Sequence, residues 1–428
     1  MSPTFSSLKF RNYRIYAAGG LLSNVGTWMG RVGQDWLVLT QLTDHSAVAL
    51  GVVTGLQFLP FLVLAPWTGM VVDRLNKRRL LLLTQTALGV SALILAGLTL
   101  AGVVQLWQVF AIALFQGVAT AFDNPARQTF VSEMVPRDQL SNAVALNSAS
   151  FNAGRLIGPG VAGLLIAAVG TGWSLAINGL SFAFVIASLL AMNAAALTPA
   201  PLARGRGQIR QGLAYVRGRP DIMLIMGLVF VLGTFGMNYQ LTTALIATTE
   251  FHKGATEYGL LGSVMAIGSL GGALLAARRR EPRLRVLLLA LVGFTVSSGL
   301  AALAPTYDLF ALALIPVGLS ALTAMTTANA MVQLSVDPEV RGRVMALYMA
   351  IFMGGTPIGA PLIGWIGDTL GARWTIGVGT VAVGLSLLAV AVYLVRRENV
   401  QVTYASQSRP RFHVTVEHPD HATPEAAR

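Results

Sequence analysis

Long apolar runs separated by short polar turns set the pattern of this chain. Twelve runs fall at roughly 14–41, 47–72, 80–102, 105–127, 143–169, 172–195, 221–248, 257–277, 285–304, 307–332, 343–369 and 373–395. Each supplies the ~20 mostly apolar residues that a helix needs to cross a bilayer core. Barrel strands would be about 10 residues long with alternating polarity, and these runs are neither. Helices also satisfy every backbone amide within their own segment, which lipid requires. The fold class that follows is an all-α membrane protein with twelve transmembrane helices.

Charge sets the direction of the spans. The chain has 428 residues and carries 30 Lys and Arg against 18 Asp and Glu, a net charge of +12. With both termini in the cytoplasm, 26 of the 30 cations lie on the inner side, Lys253 and Arg373 lie outside, and Arg31 and Arg155 fall within spans. This is the positive-inside asymmetry of a multi-pass cell-membrane protein. The basic residues are dispersed over short inner turns, which suits anionic inner-leaflet lipid and not the clustered groove that nucleic acid requires. The first 13 residues are polar and no cleavable signal is predicted. The absence of cysteine excludes disulfides and thiolate metal sites.

Residues 196–220 interrupt the pattern with Pro199, Pro201, Gly205, Gly207 and five Arg, and leave six spans on either side. The predicted organisation is a first bundle over 1–195, a cytoplasmic linker loop over 196–220, a second bundle over 221–397 and a polar tail over 398–428. The two bundles echo one another at an offset of 201 residues: Gly117 and Gly318, Gly154 and Gly355, Gly158 and Gly359, Gly163 and Gly364, Gly170 and Gly371, Trp173 and Trp374. Duplicated bundles are the layout of secondary transporters, whose site lies near the midplane between the repeats. A channel would show a selectivity filter or a ring of like charges, and neither is legible. Nothing points to an enzyme, a cofactor, a metal or a nucleotide site. The tail carries His413, His418 and His421, but its composition predicts disorder rather than a metal site.

Two segments carry a family resemblance. The turn after span two reads Gly69-Met70-Val71-Val72-Asp73-Arg74-Leu75-Asn76-Lys77-Arg78-Arg79. It resembles the signature of the major facilitator superfamily, with Asn76 in place of the second glycine, and Asn tolerates the left-handed backbone of a tight reversal. The resemblance implies the major facilitator fold of two pseudo-symmetric six-helix bundles. It also implies that Asp73 engages the inner end of span eleven to lock the outward-open form, where a helix N-terminus favours a carboxylate. Gly69, Asp73, Arg74, Lys77, Arg78, Asp123 and Arg127 are the candidate cytoplasmic gate. Span five carries Gly154, Gly158, Pro159 and Gly163, similar to the superfamily's antiporter motif. Its glycines allow close helix packing, and Pro159 is expected to kink the helix. The runs Leu8–Arg14, Phe122–Gln128 and Gly212–Arg217 are similar to the branch that contains the enterobactin exporter and macrolide-efflux proteins. Span four carries Gln116-Gly117 but has Ala113 where proton-linked members often have Arg.

An ionisable group at membrane depth costs about 2.5–3.5 kcal/mol and marks a functional site by default. Arg31 and Asp35 are one turn apart on span one and are placed to pair; Arg155 lies near the middle of span five. Pairing would favour the charged form of Asp35 and burial in lipid would oppose it, so these three are the candidate proton-coupling residues. Asn24, Trp28, Gln57, Gln116, Asn152, Asn238, Tyr239, Gln240, Asn329 and Gln333 are the candidate substrate cavity. The resulting expectation is a monomeric, proton-coupled antiporter that exports an amphipathic drug, antibiotic or siderophore by alternating access. The alternatives are transport of lysophospholipid or another lipid, and a non-transporting receptor or scaffold on the same fold.

Overall fold

The computed structural model describes residues 3–198, 208–277, 279, 282–398, 401–404 and 412–415. Each predicted span is helical, and eleven segments are long and apolar enough to cross a membrane. The remaining span is α1 (Arg11–Leu37), extended by a π turn over Val38–Leu42, whose hydropathy is diluted by its polar and charged residues. The other spans of the first half are α2 (Ala47–Arg74), α3 (Lys77–Leu100), α4 (Leu106–Phe130), α5 (Leu140–Val169) and α6 (Thr171–Ala191). A short helix α7 (Gln208–Arg217) precedes the second half. Span seven is α8 (Pro220–Val231), a π turn and α9 (Tyr239–Leu245); then follow α10 (Ala255–Ala277), α11 (Leu284–Ala302) and α12 (Tyr307–Ser335). Span eleven is α13 (Pro338–Gly354) with α14 (Thr356–Leu370), and α15 (Trp374–Glu398) closes the bundle.

Local chemistry fixes the helix ends. The Ser46 side chain accepts from the Ala49 amide at the start of α2, and Thr306 does the same for α12. Gly170 and Gly371 end α5 and α14 at φ +87° and +100°, where a side chain would be strained. Leu83, Ile94, Trp107, Leu180, Leu289 and Leu303 are more than half exposed, an apolar exterior that only lipid would cover.

The sequence repeat is a repeat of packing. Gly154 and Gly158 of α5 lie against Asn24 and Trp28 of α1, as Gly355 and Gly359 lie against Thr234 of span seven. Gly163 meets Ala255 and Thr256 at the start of α10, as Gly364 meets Ala47 and Val48 at the start of α2. Gly117 packs on α2, and Gly318 on α10. These are the two pseudo-symmetric six-helix bundles, joined through α2 against α14 and α5 against α10.

Three local expectations are corrected. Asn76 is not left-handed: its backbone is extended at φ −63°, and its side chain caps α3 by accepting from the Arg79 amide. The helix α5 runs from Leu140 to Val169 with Pro159 inside it. Part of the predicted linker loop is helical as α7, because Val216 is buried and Gly212 rests on the Arg343 backbone of α13; residues 199–207 lie outside the described residues. The tail is also not wholly irregular: Gln401–Tyr404 pairs antiparallel with Phe412–Thr415, with Thr403 opposite His413. Both stretches are rich in β-branched and aromatic residues. His418 and His421 lie outside the described residues.

Candidate transport site

The two termini of the bundle share one face, here the terminal face, because the chain crosses an even number of times. Among the described residues, the hydrogen bonds that join the halves all lie between mid-depth and the opposite face. Ser263 donates to the Leu156 carbonyl at 2.5 Å and Thr256 to the Gly163 carbonyl at 3.5 Å. At the rim, Asp368 at the end of α14 accepts from the Ala47 amide at 2.6 Å and from the Val48 amide and Ser46 hydroxyl at 3.1 Å. The opposite face is thus latched, and among the described residues no hydrogen bond holds the halves nearer the termini.

Asp35 belongs to this closed side. Its Oδ2 accepts from Gln240 Nε2 of α9 at 2.7 Å and from Tyr258 Oη of α10 at 3.0 Å. The adjacent Trp36 stacks on Tyr258, with centroids 6.3 Å apart and planes 17° apart. Of the buried carboxylates Asp35, Asp123 and Glu133, Asp35 alone is held by the other half. A net hydrogen bond contributes about 0.5–1.5 kcal/mol, and more where its acceptor is charged, so these two bonds are part of what holds the seam. Tyr258 was not singled out by sequence, since nothing within span eight marks it. Gln34, one residue away, accepts from Gln57 Nε2 at 3.2 Å and keeps its own buried amide nitrogen without a partner.

Arg31 does not pair with Asp35. Its guanidinium lies over Trp28, 5.0 Å from the ring centroid, and 5.8 Å from that of Phe58. Arg155, halfway along the thirty-residue α5, approaches the same indole at 5.7 Å. Phe151 meets Trp28 edge-on at 5.8 Å. Neither guanidinium donates to a protein acceptor among the described residues. Contact with an indole face offsets about 0.5–2 kcal/mol, less than the about 2.5–3.5 kcal/mol each charge costs at membrane depth.

Of the other cavity candidates, Gln57 and Gln240 join this group, and Asn24 lies beside it, donating to Ser150 of α5 at 3.0 Å. Several are taken up inside one half. Gln116 donates to Ser91 at 3.3 Å, Tyr239 shares a 2.6 Å bond with Ser298, Asn238 donates to the Thr234 carbonyl, and Asn152 to the Ser148 carbonyl of its own helix. Asn329 is half-buried and Gln333 exposed on α12, away from these bonds.

The gate candidates divide in the same way. Lys77 forms a buried pair with Glu133 at 2.8 Å, and Arg78 donates to the Leu189 and Leu190 carbonyls that end α6. Asp123 accepts from Thr84 and Gln85 at 2.7 Å and from Arg127 at 3.1 Å. All of these ties stay within the first half. Asp73 and Arg74 touch no hydrogen-bond or ion-pair partner among the described residues, and a Cβ at Gly69 would meet nothing within 4 Å.

A twelve-helix duplicated bundle with polar groups at its central seam has known counterparts. The sequence model described as transmembrane secretion effector, within the major facilitator superfamily, matches residues 2–421. The chain belongs to that family. It is 24% identical to the staphyloferrin A transporter of Staphylococcus aureus (strain NCTC 8325 / PS 47) over 394 residues, covering 90% of this chain and 96% of the relative. It is 23% identical to macrolide efflux protein A of Streptococcus pyogenes, covering 92% and 98%, and 25% identical to the enterobactin exporter EntS of Shigella boydii serotype 18, covering 86% and 89%. The solved structure of a point mutant of the nucleoside transporter NupG matches with a TM-score of 0.71 at 14% identity, covering 89% of this chain and 99% of that one; at that identity it speaks for the fold. The chain is therefore a multi-pass membrane transporter of small molecules, not an enzyme.

Proposed function

We propose that this transporter exports an amphipathic small molecule from the cytoplasm by proton antiport, with Asp35 as the proton carrier. The terminal face is cytoplasmic in this reading, because the inner turns then hold nearly all the cations. The structure is then the inward-facing form, closed toward the outside and released at Asp73. The exporters among its relatives support the direction of transport.

The observation that carries the coupling is the bonding of Asp35 across the seam. Opening the outer face must break its bonds to Gln240 and Tyr258, and their strength depends on its charge. Both bonds fall on Oδ2, while Oδ1 has no donor among the described residues and is the atom open to a proton. A proton there removes the charge from both bonds, so Asp35 ties occupancy by a proton to the position of the halves.

Asp35→Asn tests this. In proteoliposomes with an imposed pH gradient, the substitution should abolish gradient-driven efflux of an amphipathic dye while leaving exchange and folding intact. Efflux with unchanged pH dependence removes Asp35 from the coupling role, and movement of lipid without dye would move the substrate class to lipid.

A further inference from the structure

The central seam holds two cations that the proposed coupling does not need in the arrangement seen. Arg31 and Arg155 come from different helices, and both lie over one indole, Trp28. Two positive charges within reach of one ring repel each other. Neither has an acceptor from the protein among the described residues, and the nearby carboxylate, Asp35, spends its bonded oxygen on Gln240 and Tyr258 of the other half. Aromatic rings complete the group, with Phe58 beside Arg31 and Phe151 beside Trp28. A guanidinium presents its N–H groups in a planar fork that matches an oxyanion. Two such forks around an indole make a place for a negatively charged head on a flat apolar body.

We propose that Arg31, Arg155 and Trp28 form a subsite for a carboxylate carried on an aromatic or other flat apolar molecule, so that the substrate is an organic anion. This rests on the reading of the seam as the substrate site and deepens it. With Asp35 ionised the group carries one uncompensated positive charge, and a monovalent anion neutralises it. Exchange of such an anion for an incoming proton moves charge in the direction that an inside-negative membrane favours.

The test is equilibrium binding to the full chain in nanodiscs, with no gradient, using 2-naphthoate and the matched neutral 2-naphthamide as probes. The carboxylate should bind at least about tenfold more tightly than the amide. Arg155→Gln and Arg31→Gln should each erase that preference by weakening carboxylate binding to the level of the amide, and an unfolding temperature at or above the parent value, as removal of an uncompensated buried charge requires, controls for folding. Equal binding of the two probes, no binding of 2-naphthoate, or a preference that survives both substitutions would overturn the proposal. Because no proton gradient enters, failure here is separable from failure of proton antiport: a transporter that exports neutral dye and ignores naphthoate would retain the coupling and lose only the anion site.

Discussion

Replacing Asp368 by Asn should loosen the closed face by a calculable amount. The carboxylate caps the start of α2, accepting from the Ala47 amide at 2.6 Å with one oxygen and from the Val48 amide and Ser46 hydroxyl at 3.1 Å with the other. Asn retains one oxygen and presents an NH₂ where the second stood, so one or two bonds are lost. A net hydrogen bond is worth about 0.5–1.5 kcal/mol, and the lost charge at the helix start about 0.3–1 kcal/mol where exposed. Asp368 is exposed, so we take the lower values: about 1–2 kcal/mol, or roughly a five- to thirty-fold shift toward the form open at this face. The chain has no cysteine, so spin labels at Val169→Cys and Lys253→Cys report the α5–α10 seam without touching the latch. Pulsed dipolar spectroscopy should show a longer-distance population growing in Asp368→Asn. A distance distribution identical to the parent would show that the cap contributes nothing to closure.

Three further outcomes follow from the same contacts. Gly158→Val should lower the unfolding temperature in detergent, since a Cβ there meets Trp28 Cβ at 2.6 Å and the Val25 carbonyl at 2.8 Å, an overpacking cost of about 1–3 kcal/mol; Gly97→Ala, with nothing within 4 Å, is the neutral control. Lys253→Cys in intact cells should react with a membrane-impermeant maleimide while Ser141→Cys does not, and the reverse pattern inverts the topology. Asp73→Asn should move the label distances opposite to Asp368→Asn, toward the closed form seen here; a shift in the same direction would refute a gate role for Asp73.

The spans were legible because hydropathy is a property of each segment alone. Gly117, Gly154, Gly158 and Gly163 showed their repeat because close helix crossings admit no side chain. Asp35 was visible as a carboxylate in an apolar run, but its partners were not, since Gln240 and Tyr258 reach it across a seam that spacing within span one cannot specify. The expected Arg31–Asp35 pair obeyed helix spacing and lost to aromatic faces supplied by Trp28 and Phe58. The repeat register also slips: His45 and His252, the non-glycine residues with left-handed backbones in matching turns, are 207 residues apart and not at the offset of the glycines. The 201-residue alignment therefore could not match spans one and seven. Asn76 was misread because a capping side chain and a left-handed turn draw on the same residue type.

The arrangement of α2 and span eleven gives the proposed rocking of the halves a structural basis. The two helices run antiparallel, and α2 carries Asp73 near its end as α14 carries Asp368 near its own. Each aspartate lies at the face where the other span begins, and a helix start favours a negative charge. Between the two ends, Gly51 packs on Ala360 and Gly55 on Pro361, which gives a close crossing for one half to rock on the other. Rocking about that crossing shortens the distance at one face as it lengthens it at the other, so the two caps exclude each other. Only the Asp368 cap is made here among the described residues. In the proposed alternative form a cap of the same kind at Asp73 would offset the loss of the Asp368 cap, so the two caps by themselves favour neither form strongly. Under the proposed coupling, what opening must still overcome includes the bonds of Asp35 to Gln240 and Tyr258, which a proton on Asp35 weakens.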